Sequence, residues 1–203
     1  MTAKNSEKPH HHGDLKEALI QAGISLLVEG GLPALSLRKC AARAGVSHAA
    51  PAHHFKGLQG LLTAIVSRGF EQFARHMTTA SADATDPRMR LLGICHGYLE
   101  FSRQNDALAA LMFMTNQLDT NCETFQRNSS KSYQILADGC APFCSDPDSQ
   151  RTLETLIWSL VQGYADLSRN GQVPASNAGF DQAFSLIPLA PVKQTKTPPP
   201  SPA

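Results

Sequence analysis

Ser36–Phe55, SLRKCAARAGVSHAAPAHHF, reads as two short helices folded about a tight turn. Each has its own start signal, because Ser36 precedes Leu37-Arg38-Lys39 and Ser47 precedes His48-Ala49-Ala50, and a serine hydroxyl accepts an orphan N–H of a first helical turn. Between them Ala41, Ala42 and Ala44 are small enough for two helices to cross closely. Gly45 suits the left-handed conformation that ends the first helix, and Val46 plugs the corner. Arg38, Lys39 and Arg43 put positive charge on that first helix, as a phosphate-facing surface requires. The pattern is that of a helix-turn-helix, although a plain helical hairpin with an Ala-Gly-Val corner has the same local signals. Pro51 lies inside the second helix, where it lacks an N–H and crowds the carbonyl of Ser47, a cost that only a short or 3₁₀-like first turn avoids.

The rest of the chain separates by charge. It has 203 residues and a net charge of +1, but nine Lys and Arg face five Asp and Glu through His76, against nine and twelve from Met77 onward. Only the N-terminal part is therefore built for a polyanion, and seven of the eight histidines add to it. The five cysteines (Cys40, Cys95, Cys122, Cys140, Cys144) are odd in number and lack C-x-x-C spacing, which reads as reduced thiols in a cytoplasmic protein. No apolar run approaches the roughly 20 residues that cross a bilayer, so no membrane partner is expected.

Helical periodicity runs through most of the chain and predicts an all-α fold. Leu15, Ala18, Leu19, Ala22, Leu26 and Leu27 form one stripe that Gly30-Gly31 ends. Leu58, Leu61, Leu62, Ile65, Val66, Phe73 and Met77 make a longer stripe, a fourth helix able to join two domains. Further stripes follow at Leu91–Leu99, Leu108–Leu118 and Phe125–Cys140, and Asp146-Pro147 opens a helix that carries Leu153 to Leu167 before Gly171. A last stripe, Phe180 to Ile187, precedes Pro188. The expected organisation is an N-terminal arm (1–12), a three-helix helix-turn-helix domain (13–73, motif 36–55), a larger helical effector-binding and dimerisation domain (74–190), and a Pro-rich tail (191–203) too poor in apolar residues to pack.

From His10 to about Met77 the chain resembles the N-terminal domain of the TetR family of bacterial transcriptional regulators. The resemblance rests on Leu27 to Gly30, Ala34 to Arg38, Ala41 to Ser47, His54-Phe55 and Leu61-Leu62. The opening HHGDL and the segment AGVSHAAP resemble a subgroup whose C-terminal domain carries Trp-x-x-x-His-Gly; here Trp158 and Gly163 match and Gln162 replaces the histidine. The resemblance implies that the second short helix enters a major groove. Ser47, His48, Ala49 and Ala50 then meet base edges or nearby phosphates, Arg38 reaches guanine or phosphate, and His53, His54 and Lys56 clamp the backbone. Two departures remove family phosphate contacts: Ala52 stands where Tyr is common, and Leu58, between Gly57 and Gly60, where Lys is usual.

The resemblance also implies a homodimer on a palindromic operator in double-stranded DNA, two half-sites about 34–36 Å apart, with the last two helices as the dimer face. Leu156, Leu160, Gly163, Tyr164, Phe180 and Phe184 are the candidates, though they serve equally to complete a monomeric core. A pocket for an unidentified small-molecule effector would draw on Phe73, Cys95, Tyr98, Met112, Phe125, Tyr133 and Trp158, with His96, Asn116 and Gln162 as polar anchors. The same residues are also ordinary core material. No phosphate loop, nucleophile elbow or metal-ligand spacing is present, so neither an enzyme nor a metal or other cofactor is expected; His10-His11-His12 reads as an arm near DNA. The function expected is a ligand-responsive regulator, a repressor by family habit, acting in the bacterial cytoplasm on nucleoid DNA. The alternative is a ligand-binding or protein-interaction module on the same fold with weak or lost operator recognition.

Overall fold

The computed structural model describes residues 12–192. The N-terminal arm and the tail beyond Val192 lie outside the described residues, apart from His12 at the start of the first helix. Among the described residues every regular element is helical: α1 (His12–Ala34), α2 (Leu37–Arg43), α3 (Gly57–Ala80), α4 (Pro87–Gln104), α5 (Asp106–Met112), α6 (Glu123–Cys140), α7 (Pro147–Arg169) and α8 (Asn177–Ser185), with 3₁₀ turns at Ala50–His53, Thr115–Gln117 and Ala141–Phe143. The fold is all-α.

Local chemistry sets the boundaries. α1 breaks at Gly30-Gly31, where Gly31 takes φ +64°, as the glycine pair predicts. Ser36 Oγ accepts Lys39 N–H at 3.2 Å and starts α2. Gly45, at φ +69°, donates to Ala42 O, and Val46 donates to Ala41 O, which satisfies the last carbonyls of that helix. α7 opens on Asp146, whose carboxylate accepts both Asp148 and Ser149 N–H while Ser149 returns the contact.

The second short helix differs from the expectation of a helix capped by Ser47. It is one 3₁₀ turn, Ala50–His53, with Ala49 at its N-cap and no side-chain cap. Pro51 is the reason: it offers no N–H, and the tighter winding lets Ala50, Ala52 and His54 bond three residues back, to Ser47, Ala49 and Pro51.

Two compact units form. Of the described residues, the first comprises 12–72 with 104–130 and the second 73–103 with 131–192, so α3 contributes to both. In chain order residues 104–130 were expected with the effector domain; they pack instead with the first unit, where Leu108 and Met112 of α5 close on Gly69 of α3. The first core holds Leu19, Leu27, Leu35, Cys40, Leu61 and Ile65. The second holds Met77, Leu91, Ile94, Phe101, Ile157 and Val161.

Glycines set the closest crossings. A Cβ on Gly97 of α4 would sit 2.5 Å from His76 O and 2.6 Å from Met77 Cα of α3, backbone atoms that cannot move aside. Gly163 of α7 has nothing within 4 Å of the same position. Gly97→Ala should therefore cost about 1–3 kcal/mol of unfolding free energy, whereas Gly163→Ala should leave fold stability unchanged or slightly raised; urea denaturation of the two variants checks the contrast.

Candidate nucleic-acid interface

The 3₁₀ turn is held from beneath by two buried side chains, Pro51 and Phe55, and His54 N–H and Phe55 N–H both bond to Pro51 O at 3.0 and 2.9 Å. Most of the remaining segment faces outward. Ser47, His48, Ala49 and His53 are exposed, and Ala50 and His54 are half-buried. Arg38 and Lys39 on α2 and Lys56 after the turn are exposed as well, so the stretch expected to meet bases is flanked by cations on both sides. The eight residues expected to contact DNA thus share the first unit, and the two apolar anchors explain why they are not tucked inside.

Arg43 has a different part. Both its guanidinium nitrogens meet the Glu29 carboxylate at 2.5 Å, a bidentate pair that ties α2 to the end of the first straight run of α1. The Arg43 hydrogen bonds hold the Glu29 carboxyl below its ordinary range.

Sequence reasoning missed a cleft of about 470 Å³ in this unit. His54, Phe55 and Lys56 form one wall, Lys16, Glu17 and Ile20 of α1 another, and Thr63, Ser67 and Arg68 of α3 the floor. Arg68 bonds to Glu17 and, at 2.8 Å, to Glu71. Thr63 Oγ1 accepts Asp119 N–H and Asn128 Nδ2 donates to Ser67 O, each at 2.9 Å. The loop and helix after α5 are thereby fixed to the helix that follows the reading turn. Asp119 and Asn128 gave no sequence signal, because they reach α3 only through the fold.

In the second unit α7 carries a polar and aromatic ridge at every fourth residue: Gln150, Glu154, Trp158, Gln162 and Asp166. Gln150 Nε2 donates to Glu154 at 2.8 Å and Gln162 Nε2 to Asp166 at 3.1 Å. Tyr133 of α6 donates its hydroxyl to Glu154, and Tyr98 of α4 donates to Gln162 while bonding to Trp158. The Tyr133 and Trp158 rings stand 6.1 Å apart, and Tyr98 meets Phe73 edge-on at 4.8 Å. Trp158 and Gln162, noted in sequence as a motif, are joined here through one phenol.

The seven residues expected to line a pocket do not form one set. Phe73, Cys95, Tyr98, Tyr133 and Trp158 belong to the second unit; Met112 and Phe125 belong to the first, where Phe125 packs edge-on against Phe70 at 5.8 Å. Cys95 is sealed in the core and its thiol is pushed far upward by burial. Of the proposed anchors, Gln162 is on the ridge, His96 pairs with Asp181 at 2.6 Å, and Asn116 is exposed in the first unit. The dimer candidates also divide. Phe180 and Phe184 are 0% and 1% exposed, with Phe180 against the Tyr164 ring at 5.4 Å, so they are core of their own unit and form no face. Leu156 is exposed, and Leu160, Gly163 and Tyr164 are half-buried.

Burial pushes the Tyr98 phenol upward and the Cys140 thiol up to about 12, shifts toward the neutral form and away from nucleophilic chemistry. Among the described residues no group of three or more His, Cys, Asp or Glu is placed to hold a metal ion, and no helix is long and apolar enough to cross a membrane.

Comparison with known proteins places this architecture. Residues 19–65 match the family described as bacterial regulatory proteins, tetR family, and residues 91–187 match the tetracyclin repressor-like C-terminal domain. The chain belongs to the TetR family. It is 32% identical over 134 residues to the HTH-type transcriptional regulator BetI of Yersinia pseudotuberculosis, a match that covers 63% of this chain and 66% of that protein. The chain thus spans just under two thirds of the curated relatives' length. A Rhodococcus protein of unknown function shares its structure with TM-score 0.75 at 26% identity, over 88% of this chain and 96% of that one. A TetR family regulator from Marinobacter aquaeolei superposes with TM-score 0.65 at 18% identity, over 85% and 93% of the two chains.

Within this TetR-family chain the Glu29–Arg43 pair has a defined pH signature. Glu29 sits below its ordinary value of 4.5 in the folded state, so its contribution is fully present above that value and is lost as pH falls through the lowered one. Thermal melts of wild type and Glu29→Gln should differ at pH 7, and the difference should shrink as pH falls below the ordinary carboxylate range.

Proposed function

We propose that this chain is a DNA-binding transcriptional regulator that works as a homodimer on a palindromic site and whose DNA affinity changes when a small molecule binds its second unit. One observation carries the reading: the outward Ser47–His53 stretch, seated on Pro51 and Phe55 and bordered by Arg38, Lys39 and Lys56. Ser47, His48, Ala49 and Ala50 contact base edges or the adjoining phosphates, Arg38 takes guanine or phosphate, and His53, His54 and Lys56 hold the backbone. Repression by occlusion of a promoter, in the cytoplasm and on nucleoid DNA, is the mode the family favours.

Pairing rests on α7. Leu156, Leu160, Gly163 and Leu167 repeat at spacings of four, three and four, the seam along which two helices pack. Leu156 and Leu167 are 50% and 43% exposed, apolar surface that a second copy would cover. This seam replaces the two phenylalanines of α8.

Mobility shift on the DNA upstream of the chain's own coding sequence tests the reading. Tight binding that weakens steeply with salt and protects an inverted repeat is expected, with Arg38→Ala losing about tenfold or more. Binding without sequence preference would favour the module with lost operator recognition, to which the exposed Ala52 and Leu58 lend some support. Leu160→Glu should convert the dimer to monomer in light scattering while leaving the helical circular dichroism intact.

A further inference from the structure

Resting on the reading that a small molecule acts through the second unit, we infer that its ligand is an organic cation, held beside the Glu154 carboxylate against the solvent-exposed surfaces of the Tyr133 and Trp158 rings.

Glu154 is 6% exposed, and its hydrogen-bond partners are two neutral groups, the Tyr133 hydroxyl and the Gln150 side-chain amide. Among the described residues no Lys, Arg or His forms an ion pair with it. A carboxylate drawn out of water is costly unless a positive partner accompanies it. Among the described residues, Arg151, exposed on the same helix as Glu154, is the cation that acts electrostatically on the Tyr133 hydroxyl.

The neighbouring rings are open. Tyr133 and Trp158 are 42% and 39% exposed, 6.1 Å apart and inclined by 59°, although each is hydrogen-bonded on its inner side. Aromatic rings attract a poorly hydrated cation through their quadrupole, and the attraction grows as water is excluded. A substituted ammonium bears both the positive charge that the Glu154 carboxylate lacks as a partner and the apolar surface that two rings can cover. A bare metal ion keeps its water and gains nothing from the rings, and an anion meets the carboxylate. Trp158 also bonds to Tyr98, which bonds to Gln162, so an occupant at this point touches the ridge that links α4, α6 and α7 within the unit.

Trp158 is the single tryptophan of the chain, so its fluorescence reports the site directly. The full-length protein should show saturable quenching with benzyltrimethylammonium, and much weaker response to benzyl alcohol or benzoate. Glu154→Gln, which keeps size and an acceptor for Tyr133, should lose about tenfold affinity. Arg151→Ala should bind the cation slightly tighter. Should Glu154→Gln fold poorly, Trp158→Leu followed by calorimetry supplies the same comparison and should also lose binding. Equal affinity for the three probes, or unchanged affinity in Glu154→Gln, would overturn the cation assignment and leave the proposed effector role standing. Cation binding that satisfies these tests but leaves affinity for the upstream DNA unchanged would support the site and overturn the effector role.

Discussion

One helix supplies apolar side chains to two cores. Leu61, Ile65, Val66 and Phe70 of α3 are buried in the first unit, and Phe73, Ala74 and Met77 of the same helix in the second. Each large side chain buried this way contributes roughly 1.5–3 kcal/mol relative to exposure, so the α3 stripe supports both units. Its neighbours are selected for closeness: Gly69 admits Leu108 and Met112, and Gly97 admits the α3 backbone itself. The segment after α5 then gains a second attachment through Asp119 and Asn128, which bond to α3 polar atoms.

The reading surface follows from the same economy at smaller scale. Between α2 and α3 the chain has one turn of 3₁₀ helix, and two buried groups are enough to orient it. Pro51 forbids a regular helix yet anchors the turn, which leaves small Ala side chains and a serine on the outside. The cations are sorted by their partners. Arg43 is consumed by Glu29 and stiffens the α1–α2 corner, while Arg38, Lys39 and Lys56 stay in solvent where a polyanion can reach them. A rigid corner with free charge beside it limits the ordering that DNA binding requires.

The second unit spends its polar residues differently. On α7 the apolar face buries Ile157, Val161 and Ala165, and the ridge from Gln150 to Asp166 meets the two tyrosines of α4 and α6. The buried carboxylate is thus embedded in a network of neutral donors, an arrangement that keeps it satisfied but leaves its charge uncompensated. A third strip, Leu156 to Leu167, carries apolar groups into solvent. Core and ridge share one side of this helix, with Glu154 in line with Ile157, Val161 and Ala165, and the seam lies on the opposite side.

The sequence by itself determined the helical class, the break at Gly30-Gly31, the Ser36 cap, the Gly45 corner and the family. These depend on backbone preferences and contacts within a few residues, which local order encodes directly. Only the tertiary structure decided which apolar residues are core and which are surface. Phe180 and Phe184 share their spacing with any interface helix, but Tyr164 and its neighbours close over them. Met112 and Phe125 look like pocket residues in sequence, yet α5 and the start of α6 pack with the first unit, more than thirty residues away along the chain from α3's stripe. The Thr63–Asp119, Tyr133–Glu154 and Tyr98–Gln162 bonds likewise join positions far apart in the chain. Such pairings are set by how helices stack, and stacking depends on the whole set of shapes rather than on any one stripe.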